Sequence, residues 1–142
     1  MKIPDVNILV YAHDTSSPFH ERAKDWFSKA LSDQVDPVGI SPVVALAFLR
    51  LVCSPKVFSA PLSVKEGCRA IDSWLLAGAI WAEVGDSHFD TLANLMDAAS
   101  GGLNLLTDAY LAALAIEKRA TLYSNDRDFL RFKGLRLENP VG

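Results

Sequence analysis

Short apolar segments rich in β-favouring residues alternate with amphipathic helical stretches along this whole chain, and that alternation restricts its fold more than any other feature. Residues 3–11 open as a strand that ends near Asp5, after which Asn7 to His13 turn helical. Pro18 starts a helix in which Phe19, Ala23, Trp26, Phe27, Ala30 and Leu31 keep helical spacing. Val38-Gly39-Ile40 is a short strand, and Ser41-Pro42 supplies the N-cap and first-turn proline of an apolar helix through Val52. A proline-containing loop follows, from Ser54 to Ser63. Ser63 and Glu66 then form a capping box for a helix that should turn Val64, Cys68, Ile71, Leu75 and Leu76 inward and end near Gly78. Residues 79–84 suit a strand, and His88 to Ala99 a helix closed by Ser-Gly-Gly. Thr107 is expected to cap a helix over Asp108 to Lys118. A strand over Ala120 to Ser124, a helical turn over Asp126 to Phe132 and a last strand over Leu135 to Leu137 complete the pattern. Strands joined through helices run parallel, because a parallel crossover needs a dozen or more residues. No linker, repeat or low-complexity stretch divides the pattern. The expectation is one domain over residues 1–142, an α/β sandwich with a mainly parallel sheet.

Half of the 142 residues are apolar and 22% are charged, enough for one packed core and inconsistent with disorder. No apolar run approaches the ~20 residues of a membrane span, and the first residues lack the pattern of a secretion signal. A cytoplasmic protein without membrane contact is expected. Cys53 and Cys68 fall in apolar helical patterns and are expected as buried thiols, not as a bridge. They and the scattered His13, His20 and His88 lack the spacing of a zinc site. Trp26, Trp74 and Trp81 read as core or interface residues. The net charge of −3 argues against coating nucleic acid through bulk charge. Yet six of the 14 basic residues lie between Lys118 and Arg136. Arg127, Arg131 and Lys133 among them are either solvated surface or a phosphate-binding rim.

Ligands of open parallel sheets bind beyond the carboxyl ends of the strands. Asp5 ends the first strand, Asp126 and Asp128 follow the strand ending at Ser124, and Asp108 opens a helix. Each alone reads equally as a cap, a turn residue or, for Asp108, a match to the helix dipole. Together they aim carboxylates from distant segments at one sheet edge. Clustered carboxylates repel unless one is protonated or a cation lies between them. Mg²⁺ accepts one or two carboxylates together with waters and phosphate oxygens, and such an ion promotes attack on a phosphodiester. Acidic centre and basic flank thus point to metal-assisted phosphoryl chemistry on nucleic acid. No glycine-rich phosphate loop and no G-x-S-x-G elbow offers a rival.

Four segments carry a resemblance. Pro4-Asp-Val-Asn-Ile-Leu-Val-Tyr-Ala12, the Ser-Pro helix ending Phe48-Leu49-Arg50-Leu51, Leu106-Thr-Asp-Ala-Tyr-Leu-Ala-Ala-Leu-Ala115 and Ala120-Thr-Leu-Tyr-Ser-Asn-Asp-Arg-Asp-Phe129 resemble, in order and spacing, the VapC-type PIN-domain ribonuclease toxins of VapBC toxin–antitoxin pairs. The resemblance implies a three-layer α/β/α sandwich and an Mg²⁺-dependent endoribonuclease in which Mn²⁺ can substitute. It makes Asp5 and Asp108 the principal metal ligands and Asp126 the third acidic group. Asp128 is either a fourth or a turn residue paired with Arg127 or Arg131. Asn7 and Thr107 would orient the carboxylates by hydrogen bonds. It also implies a homodimer, a VapB-like antitoxin partner and transfer or ribosomal RNA as substrate. The apolar helices at 42–53 and 63–77 would serve either the core or such contacts.

One position departs from the family pattern. Ala47 stands where PIN domains commonly carry a glutamate, just before Phe48-Leu49-Arg50. That leaves a second reading, a catalytically degenerate module that binds antitoxin or RNA without cutting. A third, a small-molecule phosphohydrolase, is disfavoured by Asn7, which stands where the aspartyl-phosphate form of that chemistry has an aspartate.

Overall fold

The computed structural model describes all 142 residues. Its elements are β1 (Lys2–Pro4), α1 (Val6–His13), α2 (His20–Ser32), β2 (Gly39–Ile40), α3 (Pro42–Val52), α4 (Val64–Leu76), β3 (Ile80–Trp81), α5 (His88–Ala98), α6 (Leu106–Glu117), β4 (Thr121–Tyr123) and β5 (Arg136–Glu138). Single 3₁₀ turns at Leu103–Leu105 and Arg127–Arg131 lead into α6 and follow β4. Every strand pairing is parallel: β1 with β4, β4 with β5, and β2 with β3. Lys2 and Val38 bridge the two groups, and the Lys2 N–H donates to Pro37 at 2.9 Å. The spatial order is therefore β3-β2-β1-β4-β5. Because β2 and β3 lie on one side of β1 and β4 on the other, right-handed crossovers send their helices to opposite faces. The outcome is an α/β sandwich, wholly rather than mainly parallel.

Local signals explain most element starts. Ser41 accepts from the Val43 N–H with Pro42 in the first turn, and Ser63 and Glu66 form the capping box. At α6 the expectation fails. The 3₁₀ turn runs straight into Leu106, so Thr107 is already helical and makes no cap. Buried Ala109, Ala112, Ala113 and Ala115, with Leu111 and Leu114, make α6 apolar nearly all round, as a helix enclosed on most sides must be. Its small side chains admit close neighbours.

The inward face of α4 also differs from expectation. Gly67, Ile71 and Trp74 are buried there, whereas Val64 and Cys68 are exposed and Leu76 is 90% exposed. Close approach of α3 decides this: a Cβ at Gly67 would stand 2.6 Å from Leu49 Cδ2. Cys53 is half-buried and Cys68 exposed, both free thiols, so neither is the enclosed residue expected, although no bridge joins them. Trp74 packs edge-on against Phe27 and Phe48, and Trp26 lies tilted against Tyr123. Trp81 remains 42% exposed. No helix is long and apolar enough to cross a membrane.

Candidate active site

The strand order reverses between β1 and β4, and a crevice opens at the carboxyl ends of strands at such a switch point. Asp5 follows β1 directly and serves as N-cap of α1, its Oδ1 accepting from the Val6 N–H at 2.7 Å. Its Oδ2 accepts from the Ser124 hydroxyl at 2.6 Å. Ser124, the residue after β4, is 2% exposed and accepts in turn from Asn7 Nδ2 at 3.3 Å and the Asp126 N–H at 3.0 Å. Asn7 Oδ1 accepts from the Asn125 N–H at 3.4 Å. Asn7 therefore supports the acidic centre through Ser124, not by touching a carboxylate. Sequence reasoning missed Ser124. The available signal was its place at the end of the strand beside β1.

Asp5 and Asp108 line one small cleft of about 100 Å³ together with Val43, Val44, Ala47 and Thr107. Asp108 arrives from the first turn of α6. Burial, then the charges of Asp5, Asp126 and Asp128, push its carboxyl pKa up to about 6, and Arg131 partly opposes them. Asp5 is also raised, by burial first, against the hydrogen bonds from Ser124 and Val6. These two carboxylates are crowded and only partly compensated by donors, so the cleft favours either a proton or a cation.

Asp126 and Asp128 sit to one side. Asp126 caps the 3₁₀ turn, accepting from the Asp128 N–H at 2.9 Å, and lines a neighbouring recess rather than the cleft. Asp128 pairs with Arg131 at 3.5 Å, the turn-residue alternative left open for it above. No three His, Cys, Asp or Glu side chains converge into a ready metal cage. The donor set that does converge is two carboxylates, which fits a hard cation completing its shell with water and substrate oxygens. Thr107 lines the cleft but is exposed, and its hydroxyl neither caps α6 nor bonds a carboxylate. Ala47 faces the same cleft, so the departure noted in the sequence falls at the acidic centre itself. Arg127 lines the recess beside Asp126, Arg131 also reaches the Ser100 carbonyl at 3.4 Å, and Lys133 is exposed.

The PIN domain family model matches residues 2–135. The chain is 40% identical over 141 residues to Ribonuclease VapC37 of Mycobacterium tuberculosis, covering 99% of this chain and 97% of that protein. It is 33% identical over 142 residues to Ribonuclease VapC33 of the same species, covering 99% of each. Among solved structures, FitAB bound to an IR36 DNA fragment superposes with a TM-score of 0.72 at 17% identity, covering 100% of this chain and 96% of that one. VapBC2 of Rickettsia felis, bound to a promoter DNA fragment, superposes with a TM-score of 0.64 at 20% identity over 97% of each chain. A match through nearly the full chain, on a parallel sheet whose switch point carries the acidic pair, has one reading: the chain belongs to the PIN-domain family, among its VapC-type ribonucleases.

Proposed function

We propose that this chain is a divalent-metal-dependent endoribonuclease, the toxin half of a cytoplasmic toxin–antitoxin pair. The observation that carries this reading is the paired carboxylates at the switch point, with Asp108 raised to about 6 by burial and its acidic neighbours. Asp5 and Asp108 would hold the cation, Mg²⁺ with Mn²⁺ as a substitute, and Asp126 would complete the acidic centre directly or through water. The bound cation supplies charge neutralisation and activation of a water for attack on the phosphodiester. Ser124 fixes the orientation of Asp5 through its short hydrogen bond, and Asn7 fixes Ser124. Arg127, Arg131 and Lys133 attract the RNA backbone toward a centre that would otherwise repel it. Structured RNA of the transfer or ribosomal kind is the proposed substrate. A VapB-like antitoxin is the proposed partner and a homodimer the proposed assembly, formed by one domain spanning residues 1–142.

Incubation of the purified chain with total RNA and Mn²⁺, followed by mapping of new 5′ ends, tests the activity. Asp5→Asn and Asp108→Asn are each expected to lower cleavage by at least about 100-fold with an unchanged circular dichroism spectrum. Undiminished cleavage by both variants would remove these residues from the reaction. Ala47 at the cleft favours one second reading, a degenerate module that binds RNA or antitoxin without cutting. No cleavage by the wild-type chain, together with cleavage by Ala47→Glu, would select it.

A further inference from the structure

Beside the acidic cleft, next to β4 and β5, lies a recess of about 290 Å³ lined by Asn125, Asp126, Arg127, Leu130, Leu137 and Asn139. Ser124, which holds Asp5, belongs to the same wall, so the recess and the cleft share a boundary. Its amides are held in place. Asn139 Nδ2 donates to Asn125 Oδ1 at 2.8 Å, Asn125 Nδ2 donates to the Tyr11 hydroxyl at 3.2 Å, and the Val141 N–H donates to Asn139 Oδ1 at 3.1 Å. The neighbouring charges differ in how they are engaged. Arg131 is committed to Asp128, whereas Arg127 enters no ion pair and stands exposed at the recess. Asp126 uses only Oδ1, on the Asp128 N–H. Leu130, 64% exposed, and half-buried Leu137 add apolar surface.

We infer that this recess is a base-specific subsite that accepts a guanine of the RNA strand beside the scissile phosphodiester. The inference rests on the nuclease reading above and supplies its sequence preference. Single-stranded bases are recognised by contact on their faces and hydrogen bonds on their edges. Leu130 and Leu137 offer the apolar contact. A guanidinium is a donor only, in a planar fork, and guanine O6 and N7 are adjacent acceptors that match it. The free Oδ2 of Asp126, which then meets the cation only through water, is an acceptor and suits the N1–H and N2 amino group of the same base. Adenine would set its exocyclic amino donor against the guanidinium, and cytosine, which can offer N3 and O2 to the fork, leaves the carboxylate one amino group where guanine presents two donors. Uracil separates its two carbonyls by an N–H. Arg127 and Asp126, unpaired neighbours in one wall, therefore favour guanine, the base that answers both the fork and the carboxylate with two groups each.

The test is titration of the metal-free, ¹⁵N-labelled full chain with GMP, AMP, CMP and UMP, followed by NMR. GMP is expected to move the amide signals of Asn125, Asp126, Arg127 and Asn139, with an affinity at least about tenfold above the other three. Arg127→Ala, an exposed position, should abolish that preference, and Arg127→Lys should not restore it because the fork is lost. Equal affinity for all four nucleotides, shifts confined to other surfaces, or a preference surviving in Arg127→Ala would each overturn the inference. Mapping of RNA ends separates the two ideas. Cleavage without guanine next to the cut defeats the subsite alone, and absence of any cleavage defeats the nuclease reading while the nucleotide titration still decides the recess.

Discussion

Ser124 carries more of the candidate site than its size suggests, because one hydroxyl donates to Asp5 and accepts from both Asn7 and the Asp126 backbone. Groups that orient a metal ligand typically alter metal affinity by about 10–100-fold when removed. Ser124→Ala is expected to weaken Mn²⁺ binding by about that factor, read by calorimetric titration, with the fold retained. Unaltered affinity would mean that Asp5 needs no such support. Asp108 makes a second prediction, through pH. Its carboxyl binds a proton more tightly in the folded chain, at about 6, than at its ordinary 3.8. Protons thus favour the folded state; that contribution is full below about pH 4 and is lost as pH rises through about 6. The metal-free chain is therefore less stable at neutral pH than it would be without this charge. Asp108→Asn should stabilise it by about 1 kcal/mol near pH 7.5, the full shift being discounted for partial solvent screening. The gain should vanish near pH 4 in urea titrations.

Between elements, α5 and α6 are joined by a partly buried polar pair. His88, the first residue of α5, is fully buried, and its Nδ1 lies 3.3 Å from Oε2 of Glu117, the last residue of α6. His88 Nε2 and Glu117 Oε1 have no partner. A buried polar group left alone costs about 1–3 kcal/mol, whereas replacing both partners with apolar groups can be nearly neutral. Glu117→Ala should therefore destabilise the chain by that amount in urea unfolding, and the double change His88→Phe with Glu117→Leu should recover much of it. The α4 start is a simpler device: Ser63→Ala removes one half of a capping box and should cost about 1 kcal/mol. These capping signals were legible in the sequence because a cap involves residues three or fewer apart. The α4 inward face was not, since Gly67 is buried through what α3 brings against it, and no count of apolar residues records that.

At the scale of the molecule, one sheet in the order β3-β2-β1-β4-β5 organises both the core and the site. Phe48 sits at the centre of its packing, 1% exposed, with Trp74 at 4.7 Å and His13 at 6.2 Å between ring centroids. Phe48→Ala should cost about 3–5 kcal/mol, since so enclosed a site collapses poorly around a cavity. A loss below about 1 kcal/mol in chemical unfolding would show that α3 and its neighbours close over the space the ring leaves. The sheet order also brings Asp5 and Ser124, far apart in the chain, into hydrogen-bonding contact at adjacent strand ends.

The sequence by itself determined the alternation of strands and helices, the caps at Ser41 and Ser63, and the placing of Asp5, Asp108 and Asp126 beside strand or helix ends, because hydrophobic period and capping chemistry act over short stretches of chain. Only the tertiary structure decided that Asp5 and Asp108 share a cleft while Asp126 lines the next recess, that Ala47 faces the pair, and that Ser124 holds Asp5. Those relations depend on which strands become neighbours and how closely helices approach. Both are set by packing among distant residues, whose separation no local pattern encodes.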